Sequence, residues 1–202
     1  MNARPLAAWD IAAPPTWGGL PLVPLDDADP YAAQLVRAEL EATAADLTTD
    51  VEAQERLLGE LTRIQPTVAH EGLALLAAWV PDPIAGVVMG MMTAELMADA
   101  QGCPMAQFRA ELRPEPVEGG SVLRFDVDEV ELPAGPALLI EALGSDEAGD
   151  VHVSVRFVCY PPGASEAVIL TFDTTALHLS EELVADAWAV ARSMVLELAE
   201  GA

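Results

Sequence analysis

The sequence contains no lysine. All nine basic residues are arginine, set against 33 aspartates and glutamates, and the formal charge is -24. A surface of that sign repels nucleic-acid phosphates and the anionic face of a membrane. The arginines are spread from Arg4 to Arg192 with no two adjacent. No basic stripe is therefore available, and nucleic acid is excluded as an expected partner. Aromatic residues are scarce, at 5%, so the core is expected to consist of small aliphatic side chains. Cysteine is limited to Cys103 and Cys159. Two cysteines cannot build a structural zinc site without histidine or carboxylate help, and both are expected to be reduced. Long hydrophobic runs are missing too. Leu73–Val80 and Ile84–Met92 are separated by Pro81-Asp82-Pro83, and each is too short to span a bilayer. Residues 1–10 show no positive region followed by a continuous apolar stretch, so no signal peptide is expected and the cytoplasm is the expected compartment.

What is present points to one folded domain with an appended arm. Apolar residues make up 52% of the 202 positions, enough for a hydrophobic core. Residues 1–30 hold Pro14, Pro15, Pro21, Pro24 and Pro30, with Gly18-Gly19 among them. Proline removes donors and fixes φ, so an irregular arm is expected there. It carries Trp9, Trp17, Leu20, Leu22 and Leu25, and such side chains are expected to pack against the domain or a partner. Residues 31–202 are expected to form the domain.

Helical periodicity runs from about Tyr31 to Ile64, with a break at Thr48-Thr49-Asp50. Thr49 and Glu52 have the spacing of a capping box, and Pro66 is expected to end the second helix. Leu73–Val80 and Gly86–Thr93 read as strands joined by a tight Pro-Asp-Pro connection. Ala94–Ala100 and Met105–Leu112 fit either helix or strand. In Ser121–Leu132 Leu123, Phe125 and Val127 alternate with Arg124, Asp126 and Asp128, the period of a half-buried strand. The phase slips at Glu129, which predicts a bulge. Ala137–Leu143, Val151–Tyr160 and Ala167–Thr174 complete the strands. A last helix starts at Ser180, with Val184, Trp188, Ala191, Val195 and Leu198 on its sheet-facing stripe. The fold class is α+β: an antiparallel meander of about five or six strands with helices packed on it.

Chemistry-bearing motifs are sparse. Asp126 and Asp128 share a strand face and suit either paired carboxylates for acid–base work or half of a hard-metal site. A solvated acidic face in an acidic protein gives the same pattern. His70, His152 and His178 form no HxH or HExxH. His152 with Asp126 or Asp128 is the best acid–base pairing available. No serine lies in a GxSxG context. Cys103, in Gly102-Cys103-Pro104, is the more exposed thiol. Gly86 and Gly90 fit close backbone packing, Gly119-Gly120 a turn, and the dense methionines from Met89 to Met105 a core filler or an adaptable surface. No cofactor or metal is expected.

Trp17 with Leu20-Pro21-Leu22, the helices, the strand meander, Val168-Ile169-Leu170-Thr171-Phe172-Asp173-Thr174 and the closing helix from Glu182 to Leu198 together resemble the Mog1/PsbP-like α/β/α domain of small actinobacterial proteins. The resemblance spans most of residues 17–199 and rests on element order and one short Thr-Phe stretch, so no site residue is carried over. It implies a binding or accessory role more than catalysis. The expected function is thus a non-enzymatic accessory or interaction protein. It would bind a protein partner through the acidic surface and the arm, with Trp9, Trp17, Asp126 and Asp128 as contact residues. The alternative is a small-molecule-binding domain or enzyme with a cavity between sheet and helix. Self-association through the methionine-rich segment or a sheet edge is a third option, opposed by like charge.

Overall fold

The structure is a computed structural model describing residues 3–26, 28–114 and 120–199. In chain order its elements are β1 (Leu6–Asp10), β2 (Trp17–Gly19), α1 (Pro30–Leu47), α2 (Val51–Val68), β3 (Leu73–Trp79) and β4 (Gly90–Met97). They continue with α3 (Met105–Glu111), β5 (Ser121–Leu132), β6 (Gly135–Ser145), β7 (Val151–Cys159), β8 (Ala167–Thr174), α4 (Ser180–Ser193) and β9 (Val195–Leu198). The fold is α+β with antiparallel strands flanked by helices. The chain divides into two compact units, residues 14–94 and residues 1–13 with 95–202. The residues expected as an irregular arm instead supply β1 and β2.

In the unit 14–94 the strand order is β2-β3-β4. The α1–α2 hairpin covers one face, with Val36, Leu40, Leu57, Leu61, Leu76 and Val80 in its core. Trp17 is buried and its ring stacks on Trp79 at 5.9 Å and 21°. The Asp29 side chain caps α1, accepting from the backbone N–H of Tyr31 and Ala32. The interruption at residues 48–50 is real, but its chemistry differs from the capping box at Thr49. Asp50 is the cap of α2, accepting from Ala53 N at 2.8 Å, and the Thr48 carbonyl accepts from Gln54 Nε2 at 2.7 Å. Nor does Pro66 stop α2, which runs on to Val68. One proline near a helix end releases one carbonyl, and packing of the last turn outweighs that loss.

The expected tight hairpin after β3 is a loop over residues 80–89, and β4 begins at Gly90 rather than Gly86. Several bonds hold this loop on α2. Arg56 donates to the carbonyls of Ile84 and Ala85 at 3.1 and 3.2 Å, and Glu60 accepts from Val88 N at 2.7 Å. Gly86 has φ +61 and lies so close to Ala53 that a Cβ would sit 2.5 Å from its carbonyl oxygen. Only glycine satisfies both demands.

Gln65 organises the segment between β2 and α1. It is fully buried in α2. Its Oε1 accepts from Leu25 N at 2.9 Å, and its Nε2 donates to the carbonyls of Pro21 and Val23 at 2.9 and 2.7 Å. A proline-rich stretch cannot satisfy its own backbone, and a side chain does so here.

In the other unit the strand order is β8-β7-β6-β5, with β1 and β9 paired separately as an antiparallel ribbon. The β5–β6 connection is only Pro133-Ala134, with Gly135 at φ +138. The bulge expected at Glu129 is absent. Pairing runs without a shift from Arg124–Leu143 to Leu132–Gly135, and the irregularity lies between Val122 and Arg124. Helix α4 packs on β7 and β8 through Leu183, Ala187, Val190 and Ala191, a stripe shifted from the expected one. Trp188 meets Phe157 edge-on at 5.0 Å, and Arg192 lies over its ring at 4.6 Å. The helix ends at Ser193, so Val195 and Leu198 belong to β9 and not to its sheet-facing stripe.

Gln65→Ala removes the partner of three backbone groups at once, one buried and two part-buried. Urea unfolding of that variant is expected to show a loss of about 3 kcal/mol or more.

Candidate functional site

Residues directly opposed in an antiparallel pair share a sheet face. The register from β5 to β8 therefore sorts every candidate side chain. One row reads Asp126, Glu141, Val155 and Phe172; the next reads Asp128, Leu139, Phe157 and Leu170. The opposite face carries Phe125, Ala142, Ser154 and Asp173, then Val127, Ile140, Arg156 and Thr171. His152 pairs with Gly144 on that same opposite face. Asp126 and Asp128 thus look away from His152, and the acid–base pairing suggested by sequence is ruled out by register.

Asp126 and Asp128 lie on the face that α4 covers at β7 and β8. At β5 and β6 this face stays open: Arg124 and Asp128 are exposed, while Asp126 and Glu141 are half-buried. Arg124 forms an ion pair with Asp126, and the nearby carboxylates hold its guanidinium pKa above the ordinary value. On the other side of β5, Arg109 of α3 pairs with Glu129 at 2.6 Å. Both pairs are on the surface, where such contacts are screened and stabilise little. Strand β5 terminates the order and is paired only with β6. Its five charged residues and its bulge match the devices that discourage edge-to-edge association.

The expected contact residues at the N-terminal end separate. Trp17 is 7% exposed and buried against Trp79, so its ring is a core element and leaves the partner-binding set. Trp9 is half-buried in β1, opposite Leu196 of β9.

On the face bearing His152, an apolar cluster covers one end. Ala100, Met105 and Phe108, with Tyr160, pack on Leu138, Ile140, Val158 and Ile169. The other end is polar. Ser154 stands opposite Asp173 across β7 and β8, and Arg156 Nε donates to Thr171 Oγ1 at 3.2 Å. Desolvation lifts the Asp173 carboxyl above its ordinary value, against the opposing pull of the neighbouring Ser154 hydroxyl and of the Arg156 and His152 charges. Its side chain nonetheless retains solvent access. The His152 ring lies where a side chain on Gly144 would be: a Cβ there would come within 2.8 Å of both Cε1 and Nε2. Sequence reasoning placed His152, Ser154 and Arg156 together but missed Asp173 and Thr171. The alternation of β8 would have shown them sharing a face, though not which face of β7 they join.

The two thiols stand on different surroundings. Cys159 is fully buried, and burial, with a smaller contribution from the charge of Glu131, pushes it up to about 12. Cys103 is half-exposed, and both are free. The Tyr160 hydroxyl is buried without a hydrogen-bond partner among the described residues, and desolvation, aided by Cys103, lifts it to about 12. Among the described residues no group of three or more His, Cys, Asp or Glu is placed to hold a metal ion. No described helix is long and apolar enough to cross a membrane.

No family model matches the sequence, and no curated protein matches it. Among solved structures, it resembles that of LpqN, involved in cell envelope biogenesis of Mycobacterium tuberculosis. The TM-score is 0.48 at 14% identity, covering 94% of this chain and 83% of that chain.

Two outcomes follow from these environments. A carboxyl whose pKa is raised by folding costs stability once pH exceeds that raised value, and the cost vanishes below the ordinary carboxylate value. Asp173→Asn is therefore expected to be more stable than the parent at pH 7 and equal to it near pH 3, measured by thermal unfolding across pH. Iodoacetamide at pH 8, read by peptide mass spectrometry, is expected to label Cys103 while sparing Cys159 until the chain is unfolded.

Proposed function

We propose that the chain is a non-catalytic interaction protein of the cytoplasm that binds a positively charged protein partner. The observation that carries this reading is the open carboxylate face of β5 and β6, where Asp126, Asp128 and Glu141 gather with Arg124 as the nearby counter-charge. The charge of -24 extends that field over the molecule. Such a field speeds encounter with a basic surface and repels acidic competitors. Trp9, half-buried on the β1–β9 ribbon, is the aromatic contact that fits this reading; Trp17 serves the core. The likeness of element order to Mog1/PsbP-like domains supports the same accessory role. The cytoplasm suits two free cysteines, whose thiols stay reduced there.

Paired affinity capture tests the reading, using the parent chain and an Asp126→Asn/Asp128→Asn variant at low and high salt. A protein retained by the parent, lost from the variant and released by salt is the expected result. Retention indifferent to both the substitutions and the salt would overturn it. Trp9→Ala, read in the same assay, is expected to weaken retention without unfolding the chain.

A further inference from the structure

We infer that the polar end of the β7–β8 face, at His152, Ser154, Arg156 and Asp173, binds a small zwitterion, an α-amino acid gripped by both of its charges. Arg156 and Asp173 are diagonal neighbours, because Arg156 opposes Thr171 and Ser154 opposes Asp173. Diagonal positions stand roughly 7–8 Å apart on a sheet. Each charged group has a neutral hydroxyl beside it: Arg156 Nε donates to Thr171 Oγ1, and Asp173 stands opposite Ser154. The guanidinium and the carboxylate therefore stand on one face as diagonal neighbours, close enough for the Arg156 charge to act on Asp173.

The surroundings favour a ligand lying across the sheet. Gly144 and Ala142 of β6 are the smallest residues of their rows, beside His152 and Ser154. The His152 imidazole occupies the space above Gly144. Phe125 continues the Ala142 row on β5 and is half-buried. A low floor with an aromatic on one side and charges on the other suits a compact polar molecule with an apolar side group.

Charge decides the ligand class. A simple anion would meet Arg156 but also Asp173 and the field of the whole acidic chain. A simple cation would meet Asp173 but also the guanidinium. An α-amino acid places a carboxylate on Arg156 and an ammonium on Asp173, each through a charge-assisted hydrogen bond, and its zero net charge escapes the overall repulsion. Rejection of both single-charge classes gives the site its selectivity.

The test is an amide-shift titration of the ¹⁵N-labelled full chain with L-alanine, L-leucine and L-phenylalanine, each to about 10 mM, enough to fill a millimolar site. Acetate and methylamine serve as single-charge probes. At least one amino acid is expected to give saturable shifts at residues 152–156 and 171–173, with acetate and methylamine roughly tenfold weaker. Arg156→Gln and Asp173→Asn, both at exposed positions, are each expected to weaken binding by roughly tenfold with circular dichroism unchanged. Absence of saturable shifts with all three amino acids would overturn the inference. So would equal binding of acetate or methylamine, or undiminished binding by both variants.

Discussion

Hydrogen bonding across β5, β6, β7 and β8 fixes which side chains can ever meet, because one residue of slippage would turn an entire strand over. The pairing is continuous from Arg124 to Leu132 on β5 and across the whole of β6–β7 and β7–β8. Everything assigned to a surface follows from that lock. It puts Phe157 and Phe172 under α4, the β5 carboxylates on the open part of the same face, and His152, Ser154, Arg156 and Asp173 behind them. Were β5 shifted by one position, Asp126 and Asp128 would join His152, and Phe125 and Val127 would leave the apolar cluster around Phe108. That burial of Phe125 and Val127 is one reason the observed register is preferred.

The electrostatic design follows from an excess that local pairing cannot absorb. With nine arginines for 33 acids, most carboxylates have no cationic partner to find. The arginines are used structurally where they occur. Arg56 ties down a loop through two carbonyls, Arg192 lies on a Trp ring, and Arg109 and Arg124 brace the two faces of β5. Several carboxylates are used likewise, Asp29 and Asp50 as helix caps and Glu60 as a loop anchor. The remainder project a negative field, which sets the sign of any partner.

Much of the architecture was legible because its signals are local. The two-residue alternation placed β5 and β7 nearly to the residue, the turn at Pro161-Pro162-Gly163 set off β8, and the break between α1 and α2 was visible at Thr48-Thr49-Asp50. What was hidden depends on distant residues. Proline density made residues 1–30 read as irregular, but β2 is held by β3 and the stretch after it by Gln65, which lies in a helix 40 positions beyond Leu25. Glu129 looked like a phase error because both faces were assumed to be judged by one core. Val130 and Leu132 instead turn to the face opposite Phe125 and Val127, where Leu132 is buried. The site was half legible: His152, Ser154 and Arg156 were grouped correctly, whereas their separation from Asp126 and union with Asp173 needed strand order. Composition hinted at neither.

The ribbon formed by β1 and β9 sets a timetable for the molecule. Leu6 pairs with Leu198 and Asp10 with Val195, so β1, once synthesised, waits for β9. At roughly 5–20 residues per second of synthesis, that delay is on the order of ten seconds or more. Residues 14–94 form a contiguous compact unit and have no such wait. That unit is therefore free to close before the ribbon does. The clasp of β1 on β9 closes later, and tension applied across residues 6 and 198 loads that ribbon first.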